Sequence, residues 1–181
     1  MKVIIFSDTH GDTSTIMSAT EKEKPDMIIH LGDGIADAEH LNEKFPHIKM
    51  IRILGNVDSS GNDEKQIKIE EICGKRIAMT HGNAFYYYTL NKETGSHELT
   101  NETRITSRSD ILKYMQENNT DIFLHGHTHE PYLNSSPTPD KTYWIMNPGR
   151  TGRMDGSAVK PTYGILKISD AGALEWRFIE V

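Results

Sequence analysis

The chain opens on a continuous apolar run, Val3-Ile4-Ile5-Phe6, that stops at the polar cluster Ser7-Asp8-Thr9-His10-Gly11. A short unbroken run of this kind predicts a buried strand that feeds a loop. From Thr13 to Lys24, Ile16, Met17 and Ala19 fall at helical spacing until Pro25 ends the pattern. Met27–Leu31 is a second apolar run and ends at Gly32-Asp33-Gly34, residues 36–45 read as a helix, and Met50–Leu54 is a third run that stops at Gly55-Asn56. Strand and helix thus alternate at the start of the chain, which predicts parallel βαβ units with right-handed crossovers.

Past Asn56 the pattern changes. Gln66–Ile72 alternates in polarity, and Cys73-Gly74-Lys75 turns the chain into Arg76–Thr80, which predicts a hairpin. Residues 83–107 are polar, aromatic-tipped and read as irregular, a functional lid or an insertion. Arg108–Asn118 reads as a helix, and the short run Asp121–Leu124 ends at His125-Gly126-His127-Thr128-His129. Strands near 131–134, 142–147, 161–168 and 173–180 follow, separated by Pro, Gly and Asp turns. The expectation is one α/β domain over residues 1–181 whose later strands make a second sheet.

Hydrophobic residues make up 36% of the 181 positions, enough for a core and too few for a membrane protein. The four-residue apolar start is shorter than the core of a signal peptide, so a cytoplasmic location without membrane attachment is expected. Twenty Lys and Arg against 26 Asp and Glu leave a net charge of −6, with no broad basic face, which disfavours a nucleic-acid partner. Cys73 is the only cysteine, so the chain can form no internal disulfide and no thiolate-cluster zinc site. Any metal must be held by nitrogen and oxygen.

Such donors gather at the predicted strand ends: Asp8 and His10 after the first, Asp33 after the second, Asn56 after the third, His81 after Arg76–Thr80, and His127 and His129 after Asp121–Leu124. In α/β sheets, ligands collect outside the carboxyl ends of strands, so residues far apart in sequence can converge. Taken singly, each has an ordinary reading as a turn, capping or core residue. Taken together, imidazole, carboxylate and amide donors suit two ions of the Mn, Fe, Zn or Ni kind and suit calcium poorly. His30, His40 and His47 read as structural or solvated, Asp58 as structural, and His125 as a neighbour of the ligands. Arg150 and Arg153 read equally as phosphate clamps or as parts of a solvated loop.

The blocks Asp8-Thr9-His10, Gly32-Asp33, Gly55-Asn56, Thr80-His81-Gly82 and Gly126-His127-Thr128-His129, in that order, resemble those of the calcineurin-like metallophosphoesterases. Asn147-Pro148-Gly149-Arg150 and the compact length are similar to the small YfcE-like phosphodiesterase branch, and the likeness spans residues 1–168. The resemblance implies a four-layer αββα sandwich of two mixed β-sheets flanked by helices. It implies that Asp8, His10 and His129 hold one divalent metal, that Asn56, His81 and His127 hold the other, and that Asp33 bridges them. Manganese is the first candidate, with nickel, iron and zinc as alternatives.

Two such ions carry +4 against −2 from Asp8 and Asp33, so the site attracts a phosphate oxyanion. A hydroxide bridging ions about 3.5–4 Å apart is then the expected nucleophile on a small phosphoester. Asp33, Asn56 and His127 would position it and the substrate, and Asn56, His81 and Arg150 are the candidate substrate contacts. One departure stands out: many superfamily enzymes carry, after the ligand Asn, a His that assists the leaving group, and here that residue is Val57. His97 and Tyr86-Tyr87-Tyr88 are the candidate replacements. The alternatives are a protein-binding scaffold like the retromer subunit Vps29, which the filled ligand positions disfavour, and, ranked below it, a nuclease, which the acidic charge and the lack of room for a DNA-binding domain weaken. A homo-oligomer is compatible with the composition.

Overall fold

The computed structural model describes residues 1–58, 67–83, 88–90, 97–99, 108–154 and 160–181. The amino-terminal alternation is present as β1 (Lys2–Phe6), α1 (Thr13–Glu23), β2 (Met27–His30), α2 (Ile35–Lys44) and β3 (Lys49–Arg52), and β2 pairs in parallel with both β1 and β3. The third apolar run outlasts its strand. Ile53 lies past β3, yet it is buried and donates its N–H to His30 O, so the core continues one residue beyond the ladder.

The predicted hairpin is β4 (Lys68–Ile72) and β5 (Lys75–Met79), which pair antiparallel. Within 83–107, read above as irregular, β6 (Tyr88–Leu90) and β7 (His97–Leu99) form a two-stranded antiparallel sheet. Tyr86 and Tyr87 lie outside the described residues. The chain then runs through α3 (Arg108–Glu117), β8 (Ile122–Leu124), β9 (Pro131–Pro137), β10 (Thr142–Pro148), β11 (Thr162–Ile168) and β12 (Leu174–Glu180).

The expected assignment of all later strands to a second sheet needs correction. β11 and β12 return to the first sheet, whose order is β12-β11-β1-β2-β3, while the second runs β4-β5-β8-β10-β9. Both sheets are mixed: β1, β2 and β3 run parallel in one and β5, β8 and β10 in the other, with antiparallel strands outside.

Strand periodicity dictates the layers. Val3, Ile5, Met27 and Ile29 point from the first sheet into a core shared with Ile77, Met79, Ile122, Leu124 and Met146 of the second. The alternate residues Ile4, Phe6 and Ile28 pack against Ile16 and Ala19 of α1 and Leu41 of α2. Ala78 and Phe123 pack against Ile111 and Met115 of α3. The result is a four-layer αββα sandwich, in which the inner strands are apolar on both faces. Among the described residues no helix is long and apolar enough to cross a membrane.

Beyond the carboxyl ends of β1 and β10 the two sheets are tied together by backbone: Thr151 N–H donates to Ser7 O at 2.8 Å and Gly152 N–H to Asp8 O at 3.1 Å. This edge carries the polar cluster. Ile5, which is fully buried between the sheets, should cost about 2–5 kcal/mol of unfolding free energy when changed to Ala. Leu133→Ala on the edge strand β9, 38% exposed, should cost less than about 1 kcal/mol in the same urea titration. Equal losses would contradict the layer assignment.

Candidate metal centre

Two groups of three side chains bring ligand atoms within 4.8 Å of one another: Asp8, His10 and His129, and Asp33, His81 and His127. Asn56 joins the second group, its Oδ1 standing 3.1 Å from His81 Nε2. The groups adjoin. His81 Nε2 lies 3.3 Å from Asp33 Oδ2 and 3.9 Å from Asp8 Oδ1, and Asp8 Oδ1 lies 3.3 Å from His129 Nε2. His10 Nε2 faces His129 Nε2 at 3.4 Å. The His10–His129 and His81–His127 ring pairs meet nearly edge-on, at 69° and 72°. Asp8, Asp33 and His81 form a buried floor, His127 and His129 are half-buried, and His10 and Asn56 stand at the exposed rim.

The donors fit divalent cations, on an observation internal to the site. Asp8 Oδ2 accepts from Ser7 Oγ and from His127 N–H, but the fully buried Oδ1 has no hydrogen-bond partner among the described residues. A buried carboxylate oxygen with no donor is costly unless a cation faces it. His81 Nδ1–H donates to Leu31 O at 2.8 Å, which turns the Nε2 lone pair toward the cluster, the arrangement that metal-ligating imidazoles use.

The loops that carry these residues are strained. Asp8, His10, Asp33, His127 and His129 all have φ between 46° and 69°. Left-handed backbone at a residue with a Cβ costs on the order of 1–3 kcal/mol each and persists only where surrounding contacts enforce it. Some of that enforcement is close backbone approach: a Cβ at Gly126 would collide with Ser7 Oγ and come within 2.8 Å of Asp8 Oδ2. The remainder is hydrogen bonding behind the ligands. Asp58 accepts from Gly34 N and Ile35 N at 2.8 Å, capping α2 where Gly34 offers no side chain, and from Gly55 N at 2.9 Å. Asn147 donates to Gly126 O and Thr128 Oγ1 and accepts from Gly149 N, clamping the loop that bears His127 and His129.

Ionisation follows from burial and neighbours. Burial would raise the Asp8 carboxyl, but His129, His81 and the Ser7 hydroxyl outweigh it and hold it at about 2. Asp33 is likewise held below its ordinary range: burial opposes the shift, and the His81 ring and the Val57 N–H prevail. His81 moves the other way, since Asp33 and Asp8 overcome its desolvation and raise it. His30 and His125 are each pushed down to about 4, chiefly by burial.

All seven expected ligand residues therefore come together, while Asp58 caps the start of α2 and His30 lies buried with its Nδ1 on Gly32 N–H. His40 and His47 are exposed. The reading of Arg150 as part of a solvated loop is overturned, because Arg150 is 2% exposed and its N–H donates to His129 O. Arg153 instead lies at the surface beside Asp12, its Nε 3.9 Å from the carboxylate. Ser7 and Asp37 carried no signal of their own: a serine before an aspartate and an acid in a helix's first turn both have ordinary explanations.

The buried histidines set a pH dependence for the metal-free chain. Folded, His30 and His125 stay neutral down to about pH 4, whereas unfolded they protonate near 6.5, so the unfolded state binds more protons between those values. Stability should fall by on the order of a few kcal/mol as pH drops through that window. The raised His81 acts oppositely, its stabilisation complete below 6.5 and lost as pH rises through its folded value. Denaturant titrations of EDTA-stripped protein should thus show greatest stability near pH 6.5, and a flat profile from 6.5 to 4 would contradict the burial of both rings.

Residues 1–171 match the family described as the calcineurin-like phosphoesterase superfamily domain. A protein of Mycoplasma genitalium described as a "probable metallophosphoesterase" is 24% identical over 163 residues, covering 90% of this chain and 85% of its own. A solved archaeal phosphodiesterase superposes with a TM-score of 0.64 at 22% identity, over all of both chains. Vps29 of Entamoeba histolytica, solved with zinc, superposes with a TM-score of 0.64 at 14% identity, over 99% of each chain. With the sandwich, the paired donor groups and a match over nearly its whole length, this chain belongs to the calcineurin-like phosphoesterase superfamily.

Proposed function

We propose that the chain hydrolyses a small phosphoester, a phosphodiester foremost, with the aid of two divalent cations, manganese being the first candidate. The observation that carries this reading is the pair of adjoining donor groups around the unpartnered Asp8 Oδ1. In it, Asp8, His10 and His129 would hold one ion and Asn56, His81 and His127 the other, with Asp33, which groups with His81 and His127, as the residue expected to serve both. Bound there, the cations supply Lewis acidity that polarises phosphoryl oxygens and lowers the pKa of water toward about 7. The similarity to an archaeal phosphodiesterase supports the diester reading.

The chain's own residues shape the rest. Asn56 offers a neutral oxygen and so keeps a third negative charge out of a centre that must attract phosphate. Asp33 Oδ1 is occupied by the Val57 N–H at 2.9 Å, which leaves Oδ2 as the oxygen turned to the cluster. Of the three residues assigned to the substrate, Asn56 is exposed, while His81 and Arg150 are buried. Val57, 67% exposed beside Asn56, has no proton to give. With no donor at that position, a leaving group departs as a stable anion or draws its proton from solvent, unless His97 or one of Tyr86–Tyr88 supplies it.

A second reading has one observation in its favour, the shared fold with Vps29, and it makes the chain a protein-binding scaffold. The filled donor set favours hydrolysis. With Mn²⁺, purified protein should hydrolyse bis-p-nitrophenyl phosphate, lose activity in EDTA and regain it on adding metal back. Asp8→Asn should lower kcat/KM by about 10²-fold or more. A protein that neither retains metal nor hydrolyses the ester would support the scaffold instead. A general acid contributes about 10²–10⁴-fold, so aryl esters should turn over far faster than alkyl esters; equal rates would show that another residue supplies the proton.

A further inference from the structure

Behind the Asp8–His10–His129 group lies a buried polar chain that touches no ligand atom. Thr9 stands between the two left-handed residues Asp8 and His10, and its side chain points away from the cluster. Its hydroxyl donates to Asp37 Oδ2 at 2.6 Å, and the same oxygen accepts the Gly11 N–H at 2.8 Å. His30 completes the chain. Its Nδ1 accepts from Gly32 N–H at 3.2 Å, which leaves the proton on Nε2, 3.2 Å from Thr9 Oγ1, where it donates. Thr9, His30 and Asp37 are 0%, 0% and 6% exposed. Gly34 makes the room, since a Cβ there would collide with Thr9 Oγ1 and come within 3.0 Å of Asp37 Oδ2.

We infer that Asp37 is a positioning residue, which through Thr9 holds the 8–11 loop in the conformation that aims Asp8 and His10 at one cation. The inference rests on the ligand assignment proposed above. Backbone hydrogen bonds from Asp8 N–H to Gly32 O, from His10 N–H to Asp33 O and from Gly152 N–H to Asp8 O also hold this loop, but its Thr9 side chain and Gly11 N–H are anchored by a carboxylate in the first turn of α2, a position that also favours the negative charge. The second donor group does not share this anchor: its Asp33 and Asn56 loops are held by Asp58. Losing the Asp37 contact therefore weakens one cation site and spares the other.

The test is calorimetric titration of EDTA-stripped protein with MnCl₂, together with Mn²⁺ electron paramagnetic resonance and the melting temperature of the metal-free form. Wild type should take two ions and give a coupled dinuclear signal. Asp37→Asn and Thr9→Val should lose about 10–100-fold in affinity for one ion only, with the coupled signal replaced by a mononuclear one. Thr9→Ser, which keeps the hydroxyl, should retain both ions. His10→Ala and Asp37→Asn together should lose less affinity for that ion than the sum of the two single losses, because both act on the same site. The inference is overturned if Thr9→Val binds both ions like wild type, or if both affinities fall together with the melting temperature. Wild type taking fewer than two ions would overturn the ligand assignment itself, and the inference with it.

Discussion

A carboxylate oxygen buried without a hydrogen-bond donor is the constraint around which this fold is arranged. Asp8 sits where β1 ends, at the edge shared by two packed sheets, and it is fully inaccessible to solvent. Oδ2 has its donors and Oδ1 has no hydrogen bond among the described residues, while the imidazole nitrogens of His129 and His81 stand 3.3 and 3.9 Å from it. In a poorly solvated setting such an oxygen calls for positive charge. Metal-free, the chain supplies it by raising the His81 proton affinity. The remaining donors are nitrogen and oxygen groups close enough together to hold a metal ion.

That requirement accounts for the strain in the loops. Five strand ends, those of β1, β2 and β3 in one sheet and of β5 and β8 in the other, deliver the donors to one edge, and backbone hydrogen bonds from Thr151 and Gly152 lock the edges together. Apolar packing on both faces of the inner strands holds those ends in place. The left-handed backbone at Asp8, His10, Asp33, His127 and His129 is then sustained locally by Asp37, Asp58 and Asn147. None of these three touches a ligand atom in the described contacts, yet each fixes a loop that carries one.

Much of the site was legible in the sequence because chemistry was written at strand ends. Val3–Phe6 and Asp121–Leu124 announce buried strands by their unbroken apolar runs, and the polar residues that follow each run are the donors. The strand order was less legible. Thr142–Pro148 and Thr162–Ile168 look alike as sequence, and only nonlocal pairing sends one beside β8 and the other beside β1. The supporting residues were hidden for a related reason. Asp37 and Asp58 are ordinary as a helix acid and a turn acid, and their roles arise from backbone N–H groups brought near by the fold. Arg150 shows the same limit, since nothing local distinguishes a buried arginine from an exposed one.

The central claim is that these scattered donors share two adjoining cations. Anomalous diffraction at the manganese edge from crystals grown with Mn²⁺ tests it most directly. The account predicts two peaks, one among Asp8, His10 and His129 and one among Asn56, His81 and His127, with Asp33 in contact with both. A single peak, or peaks away from Asp8 Oδ1, would contradict it.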